Sequence, residues 1–124
     1  MPSPPAEIPI EVSVAAVRDV LAASLALHPA GADSPALLLD CRTPEEHATA
    51  RIAGAVLISM QELPTRLAEI EAWRDAPIVV HCHHGMRSLR VARWLREQGF
   101  AQAQSMAGGI DAWSETIDPT VPRY

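Results

Sequence analysis

Two continuous apolar runs stand out along the chain, each closed by a polar residue: ALLL before Asp40 and PIVV before His81. Such runs, too short for helices, predict strands buried on both faces at residues 36–40 and 77–81. Shorter β-like stretches fall at residues 10–12, 55–58 and 102–106. Between them the apolar positions recur at helical spacing. Ser13 is placed to cap a helix carrying Val14, Val17, Val20, Leu21 and Leu25. Thr43, Pro44, Glu45 and Glu46 supply a cap, a proline at the first helical position and acids in the first turn. Residues 60–73, 88–98 and 109–115 complete the helical set, the second through Leu89, Val91, Ala92, Trp94 and Leu95. Strands alternating with helices predict an α/β fold, a mostly parallel central sheet of about five strands with helices on both faces.

The pattern also sets the boundaries. Residues 1–9 hold four prolines and read as a flexible lead-in. Residues 28–35, HPAGADSP, read as a turn-rich connection. One folded domain is expected over 10–118, with 119–124 as a C-terminal tail, and no internal repeat is present.

Composition narrows the possible functions. A chain of 124 residues, 48% hydrophobic and 20% charged, is ordinary for a soluble domain that needs no disulfide or metal support. Its net charge of -5 argues against nucleic acid as a partner, so an anionic substrate must be captured by local donors. The N-terminus lacks a basic region followed by an apolar one, and no apolar run is long enough to span a bilayer. A cytoplasmic location is expected, and there the two cysteines, Cys41 and Cys82, should be thiols.

Ligands of open parallel sheets bind beyond the carboxyl ends of the strands. The polar clusters DCR and CHHGMRS lie at two such ends, so neighbouring strands would gather Asp40, Arg42, Cys82 and Arg87. Gly85 allows the positive φ of a tight loop, and a helix starting near Ser88 points its unpaired N–H groups back at Cys82. A helix N-terminus or an adjacent arginine favours the thiolate. Arg87 adds a planar cation suited to an oxyanion. Cys82 therefore reads as a nucleophile for a small anionic substrate.

Three segments resemble the rhodanese-like sulfurtransferases. LLLDCRTPEEHATARIAGAVLI is similar to the family's first signature, CHHGMRS to its active-site loop C-x-x-G-x-R-S/T, and GFAQAQSMAGGIDAW to its Gly-Gly-x-x-x-Trp region. The resemblance covers residues 8 to 117 and implies a single-domain enzyme without a cofactor. It implies that Cys82 takes the outer sulfur of a donor such as thiosulfate and holds it as a persulfide. The sulfur then passes to a nucleophile such as cyanide or a thiol. The loop residues His83, His84, Gly85, Met86, Arg87 and Ser88 would cradle the anion, with Arg87 binding the donor or holding the loop and Ser88 hydrogen-bonding the loop or helix cap. Asp40 and Arg42 would support it. A small sulfur donor, a thioredoxin-like thiol or a sulfur-carrier protein all suit such a site. Where relatives carry G-H-I-P-G-A, this chain has ARIAGA, which removes a histidine from the site's surroundings.

Other residues receive plainer readings. Cys41 reads as a small buried hydrophobe, with a resolving thiol as the alternative. Adjacent His83 and His84 cannot easily face one centre, and with His81 and Cys82 they form no zinc-like pair of clusters, so no metal is expected. Trp73, Trp94 and Trp113 read as packing, and Arg90, Arg93 and Arg96 as a solvated spiral. Two other functions stay open. One is a phosphatase or arsenate reductase of related fold, against which the loop's C-x4-R spacing, with less room for a phosphate than C-x5-R, speaks. The other is a non-catalytic rhodanese-like binding module, against which the presence of Cys82 speaks.

Overall fold

The strands predicted from the buried runs pair side by side in a computed structural model that describes residues 8–27 and 36–124. The expected lead-in, apart from residues 8 and 9, and the connection at 28–35 lie outside the described residues. So does the side chain of Leu25. Strands β1 (Glu11–Val12), β2 (Leu37–Asp40), β3 (Val56–Leu57), β4 (Ile78–His81) and β5 (Ala103–Met106) form one sheet in the order β1-β5-β4-β2-β3. Every pairing is parallel. The fold is therefore α/β, as the alternation of elements predicts.

Period-two alternation divides the core between the two faces of the sheet. Leu37, Leu39, Ile78 and Val80 face one cluster, closed by Val91, Ala92 and Leu95 of helix α4 (Met86–Glu97) and by Ile70. Leu38 and Val79 face the other, closed by Val17 of α1 (Val14–Leu27) and by Ile110 and Trp113 of α5 (Gly109–Thr116). Because both faces are covered, the central strands need apolar residues at consecutive positions. Each such aliphatic side chain contributes about 1.5–3 kcal/mol on burial.

Helix α2 (Pro44–Thr49) begins as its sequence predicts, with Thr43 and Glu46 forming a complete capping box. Residues 60–73 are helical as expected, as a short α3 (Leu63–Arg66) followed by a 3-10 helix, Leu67–Trp73. Only Leu63 and Ile70 are buried there, and so sparse a contact does not enforce regular α turns. Helix α4 starts at Met86 rather than Ser88, because Gly85 at φ +105° lets the chain turn straight into the helix. Arg87 thus lies in its first turn.

The last residues are packed rather than loose. Val121 is buried, its carbonyl accepts from the Ser114 hydroxyl, and Tyr124 reaches the end of the sheet where the polar clusters lie.

Candidate active site

β2 and β4 are neighbours, so the two polar clusters meet at one end of the sheet. Cys82 follows β4 directly and is 1% exposed. The backbone amides of Gly85 and Ser88 point at its Sγ, at 3.1 and 3.4 Å, and the Ser88 hydroxyl lies 3.4 Å away. Ser88 is itself held at 2.7 Å by the hydroxyl of Ser105 on β5 and donates to the Gly85 carbonyl at 3.2 Å. These amides converge only if the loop's carbonyls turn elsewhere. The first turn of α5 takes them: Ile110 N–H donates to the Cys82 carbonyl at 2.8 Å and Asp111 N–H to that of His83 at 3.1 Å. Amides that a helix start leaves unpaired thus fix the loop. Gly109 makes the approach possible, since a Cβ there would stand 2.5 Å from the Cys82 carbonyl oxygen.

Arg87 is held by a carboxylate of α2. Its two terminal nitrogens fork onto Glu46 at 2.7 and 2.9 Å, a bidentate ion pair. Holding the loop, one of the two roles read from the sequence, is the one this ion pair serves directly. The Arg87 guanidinium holds Glu46 well below the usual carboxylate range, against the effect of burial and with help from Tyr124. Glu46 is also the capping-box acid of α2, accepting from Thr43 N–H at 3.3 Å. One carboxylate thus starts a helix and clamps the loop.

Asp40 and Arg42 lie beneath this clamp, both at 0% exposure. They pair twice, Nε to Oδ1 at 2.8 Å and a terminal nitrogen to Oδ2 at 2.7 Å. Arg42 also donates to the Ala50 carbonyl at 2.6 Å, fastening the far end of α2, and to the Tyr124 hydroxyl at 2.8 Å. His47 contacts Asp40 at 2.8 Å. Burial alone would raise the Asp40 carboxyl; the Arg42 hydrogen bonds, the nearby His81 and His47 together hold it below its ordinary value. The pair acts on the loop through α2, by setting where Glu46 stands.

The outer rim is aromatic and soft. The rings of His83 and Tyr124 stack at 4.0 Å, and His84 stacks on the other side of His83. Met86 is 72% exposed at the loop's tip. Cys41 is buried beside β4, with Sγ 3.5 Å from the His81 carbonyl, and burial pushes its thiol up to about 12, helped by the charge of Cys82. His81 is fully buried, and neither ring nitrogen has a well-formed hydrogen bond, the backbone of Cys82 giving only a weak one. Burial pulls it down to about 4.

Glu46, Ser105, Gly109 and Tyr124 are the residues that sequence reasoning missed as parts of the site. Glu46 was legible only as a helix cap. Gly109 lay inside a recognised signature whose packing role the sequence does not state. Ser105 and Tyr124 carry no local signal, since each matters only through a partner distant in the chain.

Known proteins match most of this chain. The family model described as the Rhodanese-like domain matches residues 23–116. A sulfurtransferase of Allochromatium vinosum is 38% identical over 85 residues, covering 68% of this chain and 78% of that protein. The putative sulfurtransferase YtwF of Bacillus subtilis is 33% identical over 109 residues, covering 88% and 94%. Of three longer relatives the match spans only 20% to 30%. Among solved structures, the human single-domain sulfurtransferase TSTD1 superposes with a TM-score of 0.69 at 28% identity, covering 88% of this chain and 98% of that one. A capped acidic helix, a cysteine loop clamped to it, and a Gly-Gly turn closing on the loop coincide with these matches over most of the chain: it belongs to the rhodanese-like domain family.

Proposed function

We propose that this protein is a sulfurtransferase that carries a sulfane sulfur on Cys82. The observation behind this reading is the convergence of the Gly85 and Ser88 amides on the Cys82 Sγ. Fixed N–H dipoles aimed at one sulfur stabilise a negative charge that moves between that sulfur and a second one bonded to it. The Cys82 thiolate attacks the outer sulfur of a thiosulfate-type donor; the S–S bond of the donor breaks and sulfite leaves. The persulfide then gives up its outer sulfur to cyanide or a thiol, and the thiolate returns.

The loop's size supports sulfur over phosphate. Four residues, His83 to Met86, separate Cys82 from Arg87, and a ring this short suits a single added sulfur better than a tetrahedral phosphate with all its oxygens. The names of the relatives point the same way. A thiol acceptor, free or on a thioredoxin-like or sulfur-carrier protein in a reducing cytoplasm, suits a rim formed by exposed Met86 and the His83–Tyr124 stack. Among the described residues no helix is long and apolar enough to cross a membrane.

The test is steady-state turnover with thiosulfate and cyanide, read as thiocyanate, beside hydrolysis of para-nitrophenyl phosphate. Thiocyanate production that vanishes in Cys82→Ser, with background phosphatase turnover, supports the reading. Phosphatase turnover without thiocyanate would replace it with the phosphoryl alternative.

A further inference from the structure

The proposed transfer leaves one buried thiol unused. Cys41 follows β2 as Cys82 follows β4. The parallel register ends with Asp40 opposite His81, a pair that the bond from Cys41 N–H to the His81 carbonyl, 3.2 Å, closes, and Cys41 and Cys82 are the next residues on the two segments. Cys41 and Cys82 therefore leave the sheet side by side. Alternation puts both side chains on the same face, within one buried cluster with Leu39 and Val80. Adjacent strands run about 4.7–4.9 Å apart, inside the Cα separation of roughly 4.4–6.8 Å that a disulfide spans. The Cys41 Sγ already leans toward β4, against the His81 carbonyl.

The two sulfurs of a Cys82 persulfide would have different neighbours. The outer one faces the loop's opening and any acceptor, while the inner one lies at the level of Cys41, where both thiols are at most 2% exposed. We infer that Cys41 resolves a persulfide that no acceptor collects: its sulfur attacks the inner sulfur of Cys82, a Cys41–Cys82 disulfide forms, and the outer sulfur leaves as hydrosulfide. The inference rests on the sulfurtransferase reading. The two cysteines are oxidised by two electrons, the sulfane sulfur is reduced by the same two, and the Cys41 proton departs on the hydrosulfide. Burial keeps Cys41 protonated at neutral pH, so resolution is slow beside transfer to a ready acceptor. The disulfide draws the Cys82 Sγ off the Gly85 and Ser88 amides, and the site stays closed until a dithiol reduces it.

The experiment exposes wild type, Cys41→Ser and Cys41→Ala to thiosulfate with no thiol or cyanide, and follows intact mass, released hydrosulfide and non-reducing peptide maps. Wild type should gain one sulfur and then lose it, ending two hydrogens below its starting mass with one hydrosulfide per chain and a 41–82 crosslink. Both variants should keep the sulfur and release no hydrosulfide. A wild-type persulfide that persists as in the variants overturns the resolving role while leaving sulfur transfer standing. Failure of all three proteins to take up sulfur overturns the transfer reading and this inference with it.

Discussion

Gly109→Ala isolates the contact that holds the loop in place. Gly109 has φ +61°, and an added Cβ would stand 2.5 Å from the Cys82 carbonyl oxygen and the His83 carbonyl carbon, and closer to the His83 oxygen. All of these are backbone atoms, so no side chain can swing aside. The left-handed conformation alone costs a non-glycine residue about 1–2 kcal/mol, and forcing a carbon into a packed site adds roughly 1–3 kcal/mol. Gly54→Ala is the matched control. Gly54 has φ +85° but nothing within 4 Å of its Cβ position, so it should show the conformational cost alone. Urea unfolding should place Gly109→Ala about 1–3 kcal/mol below Gly54→Ala. The relief of the clash must push the Cys82 and His83 carbonyls outward and carry the converging amides with them. Displacement of that order costs about 100-fold in rate, so sulfur uptake by Gly109→Ala, followed by stopped reactions and intact mass, should slow by that factor while Gly54→Ala keeps the wild-type rate. Equal stabilities with equal uptake rates would refute the view that Gly-Gly exists to let the loop approach.

Three further substitutions test the layers beneath the loop. Asp40→Ala leaves the Arg42 guanidinium buried without its countercharge and should lower stability by about 3–5 kcal/mol in urea unfolding; a loss under 1 kcal/mol would show that Ala50 and Tyr124 suffice for Arg42. Glu46→Gln keeps the shape of the clamp but removes its charge; in this partly solvated setting it should cost about 1–2 kcal/mol, slow sulfur uptake, and leave the thiol count unchanged in a thiol-reagent assay. His81 has its folded value depressed from 6.5 to about 4. The unfolded chain therefore binds a proton that the folded one refuses between those values, so stability is full above about pH 6.5, falls by about 3 kcal/mol toward pH 4, and gains no further loss from this group below it. His81→Leu should flatten that slope in urea titrations at successive pH values, and an unchanged slope would assign it to other groups.

The sequence carried the parts of this structure that local chemistry dictates. ALLLD and PIVVH read as buried strands, Thr43-Pro44-Glu45-Glu46 signalled a helix start, and Gly85 between Cys82 and Arg87 marked the loop. What it could not carry depends on distant partners. Glu46 satisfies the capping rule so fully that nothing local signals its second partner, 41 positions away. Tyr124 looks like the end of a tail, yet its hydroxyl joins Arg42 to Glu46. Residues 60–73 have helical spacing, but spacing does not separate α from 3-10 turns when only two side chains are buried. The place of Arg87 in the loop was legible from its spacing to Cys82, but its pairing with Glu46 was not, because a guanidinium's partner depends on which carboxylate the fold brings to it.

Sulfur transfer by this protein requires a transferable sulfur on Cys82. Intact mass spectrometry of the Cys41→Ser protein, whose only remaining thiol is Cys82, tests it after brief exposure to thiosulfate without reductant. A gain of one sulfur atom is expected, mapped to the peptide containing residue 82 and removed by cyanide with matching thiocyanate. No gain from any sulfane donor, or an equal gain by Cys82→Ser, would contradict it.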